Sequence, residues 1–208
     1  MQILQVDTKN PDPAVIDKAA RVLQIGGLVV YPTETLYGLG ANVIDAGAVN
    51  KVFEAKGRFH DKPISILFRD LEHAEKYAEF SDKARKIAEC FLPGALTIIL
   101  PAKVPLGEMF GGDRIAIRIS SNRVAQDIMK RVKFPLTATS ANISGRADPT
   151  NAKDVVELIG DKIDMILDSG KCEHSKPSTV VDLSGGEIVV VREGVIPRER
   201  IFEFAKHL

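Results

Sequence analysis

The sequence predicts an α/β protein built on a mixed sheet of parallel and antiparallel strands. Short apolar runs alternate with segments of helical periodicity through most of the 208 residues, which is typical of strands connected by helices. Three strand candidates then follow in succession, at 165–167, 178–183 and 187–192, before a closing helix at 197–206. We expect one domain over residues 1–208, because a chain of this length can bury a sizeable core and carries no low-complexity linker.

The charge balance restricts the class of partner. Lys plus Arg number 28 and Asp plus Glu number 28, so the formal net charge is zero and any cationic site must be a local patch. Aromatic residues make up 6% of the chain and Trp is absent, which argues against RNA recognition by base stacking. A protein that coats RNA regardless of sequence is therefore disfavoured.

The cysteines and the N-terminus predict a compartment. Cys90 and Cys172 are far apart with no second thiol near either, so neither a disulfide framework nor a zinc knuckle is indicated. The first residues lack a basic region followed by a long apolar stretch, and no run approaches membrane-spanning length. We expect a cytoplasmic protein with no membrane partner.

The first quarter of the chain predicts a strand, a helix, a second strand and a loop. After a strand at 1–6, Asp12 and Pro13 begin a helix that Gly26 and Gly27 stop. A buried strand at 28–31 then leads into Pro-Thr-Glu-Thr-Leu-Tyr-Gly-Leu-Gly, whose hydroxyls and glycines suit a loop that lets backbone approach a ligand. An ordinary connection from strand to helix is the competing interpretation.

The segment 51–63 concentrates positive charge where a helix should end. Apolar residues at helical spacing predict a helix from about Ala46, and Gly57 ends it just after Lys56. Arg58 and Lys62 then lie on a short loop before the next strand. Such a loop can hold cations at the fixed separation that a nucleotide triphosphate requires. A solvated charged face is the alternative.

The middle of the chain supplies further strands and helices. We predict strands at 64–68, 95–100 and 114–119, and helices at 71–78 and 81–90, the latter capped by Ser81. In the strand 114–119, isoleucines alternate with Ala116 and Arg118, so Arg118 should project from the opposite face of the sheet. An exposed strand arginine would show the same pattern.

A polar segment at 134–145 follows a helix that Ser120, Ser121 or Asn122 can start. After a brief apolar strand it carries Thr137, Thr139, Ser140, Asn142 and Ser144. These side chains offer donors and acceptors on little bulk, as a site for a polar metabolite needs, although turn chemistry alone could explain them.

A further helix begins just after this segment. Its apolar face predicts a start near 152, with Thr150 or Asn151 as the cap. A helix start is also a natural anion site.

Several familiar motifs are absent. There is no Gly-rich loop ending in Gly-Lys-Ser or Gly-Lys-Thr, no complete dinucleotide fingerprint and no Gly-x-Ser-x-Gly elbow. The four histidines are scattered with no pair at metal-ligand spacing, so we expect no protein-bound metal site.

Six short segments together resemble the YrdC family. They are residues 31–40, Lys56-Gly-Arg58, Pro93-Gly-Ala-Leu-Thr97, Ser140-Ala-Asn142, Ser178-Thr-Val-Val-Asp182 and Arg192-Glu-Gly194. The resemblance implies a YrdC-like α/β fold, with a twisted, mixed open sheet, flanking helices and a concave basic cavity. It also implies L-threonylcarbamoyladenylate synthase activity, in which L-threonine, bicarbonate and ATP give threonylcarbamoyl-AMP and pyrophosphate.

The resemblance also assigns expected roles to individual residues. Lys56 and Arg58 would be catalytic, and Arg58, Lys62, Asn142, Thr150 and Arg192 would bind ATP. Thr35, Arg118, Ser140 and Ser178 would bind L-threonine, with Arg118 as the partner of its carboxylate. Mg²⁺ would accompany the triphosphate, held mainly by its oxygens.

The family's biology implies partners for the product. Threonylcarbamoyl-AMP feeds the threonylcarbamoyl modification of adenosine in tRNA, so tRNA or double-stranded RNA and a KEOPS-type threonylcarbamoyl transferase complex are expected partners. Longer members carry a second C-terminal domain, and this chain, which ends at Leu208, resembles the short single-domain form.

Two rival functions remain on the sequence alone. One is an RNA-binding module without chemistry. The other is a YciO-like relative that shares the fold but lacks efficient synthesis of the adenylate. The intact Thr33-Glu-Thr35 and Ser140-Ala-Asn142 favour the synthase, whereas Leu67 stands where some members place a histidine near the threonine pocket.

Overall fold

The computed structural model describes residues 1–57 and 63–208. The α-helices of this part of the chain are α1 (Pro13–Gln24), α2 (Ala46–Lys56), α3 (Leu71–Ala74), α4 (Asp82–Phe91), α5 (Arg123–Arg131), α6 (Ala152–Ile159) and α7 (Arg198–Ala205). Short 3₁₀ helices occupy Glu108–Phe110 and Gly160–Lys162.

The strands of the same residues are short. They are β1 (Gln2–Gln5), β2 (Val29–Tyr31), β3 (Gly38–Gly40), β4 (Ile66–Leu67), β5 (Leu96–Pro101), β6 (Arg114–Arg118), β7 (Leu136–Thr137), β8 (Thr139–Ser140), β9 (Met165–Asp168), β10 (Thr179–Asp182) and β11 (Val189–Arg192).

The helix ends follow the predicted chemistry. Asp12, Ser81 and Asn122 cap α1, α4 and α5 through side-chain oxygens that accept hydrogen bonds from backbone N–H groups of the first turn. Gly57 ends α2 in the left-handed conformation with φ of 53°, which a residue without Cβ adopts at little cost. These local signals therefore set where the helices begin and end.

The strands form two mixed sheets, where the sequence predicted a single one. The five-stranded sheet has the order β1-β9-β2-β3-β8, with β1, β9 and β2 parallel and β3 and β8 antiparallel to their neighbours. The six-stranded sheet has the order β11-β10-β5-β6-β4-β7, with parallel pairing only for β10 with β5 and for β6 with β4 among the described strands. Hydrogen-bond pairing between distant segments is not visible in strand periodicity, so the division was not predictable.

Strand β3 replaces part of a predicted loop. It pairs antiparallel with β2, so that Gly38 lies opposite Tyr31 and Gly40 opposite Val29. A Cβ on Gly40 would lie 2.7 Å from the Tyr31 ring, and one on Gly38 would lie 3.0 Å from it. The glycines that made the segment resemble a loop are therefore required because an aromatic ring packs on the strand.

Two other predicted elements are shorter than expected. Helix α3 ends at Ala74 and not at 78, and β4 covers only Ile66 and Leu67 of the predicted 64–68. The α3 segment is a single turn capped by Asp70, which accepts a hydrogen bond from His73 N at 2.7 Å. Local propensity does not show where tertiary contacts stop such short elements.

The core lies in two apolar clusters. The larger joins helices α2, α4 and α6 to the inner faces of both sheets, and the smaller packs α1 and α5 together through side chains such as Leu23 and Ile128. On β6, Ile115 and Ile117 are buried in the larger cluster while Ala116 and Arg118 line a cavity. The predicted orientation of Arg118, opposite to the isoleucines, is confirmed.

The described residues contain neither a membrane-spanning helix nor a metal-binding cluster. In 1–57 and 63–208, no helix is long and apolar enough to cross a membrane. The same residues contain no cluster of three or more His, Cys, Asp or Glu side chains placed to hold a metal ion.

Candidate active site

A cavity of about 340 Å³ is lined by residues of both sheets and by the loop between β2 and β3. Its charged lining residues, within the described part of the chain, are Arg118, Arg192 and Asp148. The volume is in the range of small-molecule sites in proteins. Its size and chemistry suit a polar, anionic ligand.

The cavity brings together half of the residues that the sequence predicted for the site. Thr35, Arg118, Ser140, Ser178 and Arg192 all line it, although they come from five separate segments of the chain. All four residues expected to bind L-threonine are in this group.

The loop after β2 holds Thr35 in a fixed turn. The Thr33 hydroxyl accepts hydrogen bonds from Thr35 N at 3.1 Å and Leu36 N at 3.2 Å, and donates one to Leu36 O at 2.6 Å. The Thr33 and Thr35 hydroxyls also share a hydrogen bond of 2.9 Å. The loop is therefore built by its own side chains, as expected for a segment rich in hydroxyls.

Arg118 reaches this loop from β6. Its Nη1 and Nη2 each donate to Thr35 Oγ1 at 3.2 Å, and Nη2 also donates to a carboxylate oxygen of Glu34. Glu34 is 3% exposed and Arg118 is 9% exposed, so this ion pair is largely removed from water. Arg118 Nε is buried and has no hydrogen-bond partner among the described residues, which leaves the guanidinium with donor capacity.

Ser178 and Arg192 also line the cavity and contact each other. Ser178 Oγ shares a hydrogen bond of 2.8 Å with Thr97 Oγ1, and Ser178 O accepts from Arg192 Nη2 at 2.9 Å. Burial lowers the pKa of Arg192, nearby Asp148 raises it and the Arg118 charge lowers it further. Two guanidinium groups therefore share one cavity, where an anionic ligand would relieve their mutual repulsion.

Lys56 lies behind the cavity wall and not in it. Its ammonium donates to Ser140 O, to Asn142 O at 2.9 Å and to Asn142 Oδ1 at 3.2 Å, and the residue is 1% exposed. The ammonium is thus directed at protein oxygens, and the catalytic role expected for Lys56 stays a prediction. In this geometry Lys56 positions the loop that carries Ser140.

Asn142 is also directed into its own loop. Its Oδ1 accepts from Ser140 Oγ at 2.6 Å, and its Nδ2 donates to Arg146 O at 2.9 Å and Ala147 O at 3.1 Å. The residue is buried and does not line the cavity. The amide therefore shapes the backbone beside Ser140, and its expected contact with ATP stays a prediction.

Thr150 likewise lies outside the cavity lining. Its backbone N–H and hydroxyl donate to Asp154 Oδ2 at 2.9 and 3.2 Å, while Asn151 caps α6. The hydrogen bond from Thr150 N–H is the largest influence that lowers the pKa of the Asp154 carboxyl. Its expected contact with ATP stays a prediction.

Arg58 and Lys62 lie outside the described residues. Their predicted contacts with the ATP phosphates therefore stay predictions from the sequence. The described part of the prediction, that Gly57 ends α2, is confirmed.

Three site features were missed by the sequence interpretation. The sequence interpretation gave no individual role to Glu34, Asp148 or Thr97. In the structure Asp148 and Thr97 line the cavity, and Glu34 pairs with Arg118. Glu34 and Arg118 are 84 residues apart, so no local pattern could pair them. The one sequence signal for a role of Glu34 was its place between two threonines, in the loop that follows a predicted buried strand.

The sequence between residues 21 and 194 matches the model of the Sua5/YciO/YrdC family, which carries the description "Telomere recombination". A Methanocaldococcus jannaschii protein, provisionally named a threonylcarbamoyl-AMP synthase, is 42% identical over 176 residues, covering 85% of this chain and 84% of that protein. The threonylcarbamoyl-AMP synthase of Pyrococcus abyssi is 41% identical over 186 residues, covering 88% of this chain and 55% of that protein. The chain thus spans about half the length of the P. abyssi relative.

Solved structures show the same similarity in three dimensions. P. abyssi Sua5 complexed with L-threonine superposes with a TM-score of 0.94 at 38% identity, over 98% of this chain and 61% of that one. Escherichia coli YciO superposes with a TM-score of 0.87 at 27% identity, over 96% of this chain and 98% of that one. The predicted YrdC-like fold is confirmed, and the chain belongs to the Sua5/YciO/YrdC family.

Proposed function

We propose that this chain is a threonylcarbamoyl-AMP synthase, which converts L-threonine, bicarbonate and ATP into threonylcarbamoyl-AMP and pyrophosphate. The observation that carries the proposal is the gathering of Thr35, Arg118, Ser140, Ser178 and Arg192 around one cavity. Identity to the P. abyssi synthase and superposition on Sua5 complexed with L-threonine support the same activity.

Arg118 is the proposed partner of the threonine carboxylate. Its guanidinium is held at the cavity wall by hydrogen bonds to Thr35 and Glu34. The hydroxyls of Thr35, Ser140 and Ser178 are available around it to hydrogen-bond the polar groups of the amino acid. The guanidinium and these hydroxyls match the carboxylate, amine and hydroxyl groups of threonine.

Leu67 adds an apolar surface beside Arg118. The two residues are aligned in register on the parallel strands β4 and β6, and both line the cavity. We propose that this surface packs on the threonine methyl group. A methyl group buried against such a surface contributes roughly 1 kcal/mol, which would favour threonine over serine about fivefold to tenfold.

The nucleotide occupies the remaining part of the proposed site. Arg192 lines the cavity, and Arg58 and Lys62 supply the expected further charges for the phosphates. ATP enters as its Mg²⁺ complex, with the metal ligated mainly by phosphate oxygens.

The chemistry then requires positioning and charge stabilisation. The threonine amine and bicarbonate give the N-carboxylated amino acid and water. A carboxylate oxygen of that carbamate attacks the α-phosphorus, the bond from that phosphorus to the bridging oxygen breaks, and pyrophosphate leaves with the bond electrons. Negative charge grows on the phosphate oxygens, so fixed guanidinium and ammonium groups stabilise the transition state more than the bound substrates.

The product defines the next step. Threonylcarbamoyl-AMP is a mixed anhydride that transfers its acyl group readily, and we propose that it serves the threonylcarbamoyl modification of tRNA. The proposed recipient of the product is a KEOPS-type transferase complex. The proposed nucleic-acid partner is tRNA or double-stranded RNA. The proposed location is the cytoplasm, where ATP is abundant. A steep loss of RNA affinity with rising salt would accompany any phosphate-driven RNA contact.

Pyrophosphate release tests the proposed activity. Purified protein is incubated with MgATP, bicarbonate and each amino acid in turn. We expect release with threonine and bicarbonate together, and little when either is omitted. Release that does not depend on threonine would contradict the proposal.

A YciO-like activity is the second candidate. The superposition on E. coli YciO and the presence of Leu67 where some family members place a histidine both favour it. The same assay separates the two functions, because a YciO-like relative would release pyrophosphate at a small fraction of a synthase's rate even at saturating threonine.

A further inference from the structure

Glu34 is a buried carboxylate with no assigned role. One of its oxygens accepts a hydrogen bond from Arg118 Nη2, and the other accepts from the Ser120 hydroxyl and from Ser121 N at 3.2 Å. The side chain is 3% exposed, so nearly all of its hydration has been replaced by these contacts. A charge buried in this way needs an opposite charge and well-directed donors, and Glu34 has both.

The position of Glu34 separates it from the ligand. Thr35 and Arg118 line the cavity, whereas Glu34 lies behind them and is absent from the lining. A ligand that touches Arg118 would therefore not touch Glu34. Any influence of Glu34 on the reaction must pass through the guanidinium.

The contacts of Arg118 show what Glu34 does to it. Thr35 Oγ1 accepts from both terminal nitrogens at 3.2 Å, and Glu34 accepts from Nη2 on the adjacent edge. A planar guanidinium held on two edges cannot rotate about its long side chain. Glu34 is held in turn by Ser120 and Ser121, which lie just before α5.

We propose that Glu34 is a positioning residue that orients Arg118 for the carboxylate of the amino-acid substrate. This inference rests on the proposed function. The Glu34 carboxylate also ties the β2–β3 loop of one sheet to β6 of the other.

The test is Glu34→Gln, which keeps the size of the side chain but removes its charge. The amide nitrogen would face either the Arg118 donor or the N–H and O–H donors of Ser121 and Ser120, so one set of hydrogen bonds must fail. We expect the KM for L-threonine to rise about tenfold or more, while the KM for ATP changes less than about twofold.

Two further variants separate positioning from simple loss of stability. Ser120→Ala removes one hydrogen bond to Glu34 and leaves its charge, so the KM for L-threonine should rise by a smaller factor. Asp127→Asn removes another shielded, ion-paired carboxylate, paired with Lys130 at 2.8 Å on α5 and outside the cavity lining. It should leave both KM values at the wild-type level even if its unfolding midpoint falls.

A crystal structure of Glu34→Gln gives a readout that does not depend on activity. We expect the Arg118 guanidinium to leave at least one of its contacts with Thr35. Arg118 retained on Thr35, or a KM for L-threonine within twofold of wild type in a folded variant, would overturn the proposal. A wild-type protein that releases no threonine-dependent pyrophosphate would instead refute the proposed function, and the position of Arg118 would still decide the role of Glu34.

Discussion

The ammonium group of Lys56 lies 2.9 Å from the backbone oxygen of Asn142 and 3.2 Å from its side-chain oxygen. A cation at the end of α2 is thus directed inward, onto the loop that presents Ser140 to the cavity. The Lys-x-Arg and Ser-x-Asn motifs are therefore linked physically, because the lysine of one holds the backbone of the other. The positive charge of Lys56 therefore contributes to the shape of the site, by holding the loop of Ser140, as well as to its electrostatic potential.

Replacing Lys56 with Met should destabilise the protein and slow the reaction. The stem remains, but the backbone oxygens of Ser140 and Asn142 and the Asn142 amide oxygen each lose the hydrogen bond that Lys56 donates, which costs about 1–3 kcal/mol in total. Urea unfolding measures this loss. Lys51→Met is the matched control on the same helix, since Lys51 donates a single hydrogen bond to Gly26 O at 2.8 Å and should cost less. Equal stability of the Lys56 variant and wild type would contradict the assignment.

Replacing Arg58 with Ala should lower turnover by about two to three orders of magnitude. This corresponds to about 3–4 kcal/mol, the usual loss for one preorganised group that stabilises developing charge. Its place in the predicted cationic loop motivates the prediction. Lys103→Ala is the control, because Lys103 is exposed and bonds to Glu75 O away from the cavity. Near-normal steady-state pyrophosphate release by the Arg58 variant would refute its role.

Stability should fall between about pH 9 and 12. Burial raises the pKa of the Cys172 thiol from 9.0 to about 11 and that of the Tyr37 hydroxyl from 10.0 to about 12. Both groups ionise in the unfolded chain first, so the stability they provide is complete below pH 9 and is lost as the pH rises. Each pKa unit corresponds to about 1.4 kcal/mol, so Cys172 accounts for roughly 2–3 kcal/mol.

Urea unfolding at pH 8 to 11 measures this loss directly. Cys172→Ala should flatten the decline between pH 9 and 11. Cys90→Ala should not, because Cys90 is exposed. A decline as steep in Cys172→Ala as in wild type would show that another group is responsible.

Replacing Gly40 with Ala should disturb the cavity through Tyr31. The new Cβ would lie 2.7 Å from the ring, and Tyr31 lines the cavity and donates to Thr137 O at 3.1 Å. Moving a buried ring costs about 1–3 kcal/mol, and the KM values should rise with it. Gly185→Ala is the control, since a Cβ there meets nothing within 4 Å. An unchanged unfolding midpoint for Gly40→Ala would argue that the ring moves freely.

Much of the fold followed from local rules in the sequence. Capping residues such as Asp12 and Ser81 mark helix starts by chemistry that acts within one turn. Alternation along β6 places Arg118 opposite the isoleucines by geometry alone. Signals of this kind need no knowledge of the rest of the chain.

The remaining features depend on contacts between distant segments. The sequence did not predict strand β3, because its glycines indicated a loop whereas they are required by the packing of the Tyr31 ring. The inward direction of Lys56 depends on a loop 84 residues away, and the Glu34–Arg118 pair spans the same separation. Residue type alone does not reveal whether a charge meets solvent, a ligand or another side chain.

The most direct measurement is mass spectrometry of the product formed from ¹³C-labelled bicarbonate, L-threonine and MgATP. We predict a threonylcarbamoyl-AMP species that carries one labelled carbon and forms in proportion to pyrophosphate. An adenylate of threonine without the labelled carbon, or AMP formed with no threonine incorporated, would contradict the proposed activity.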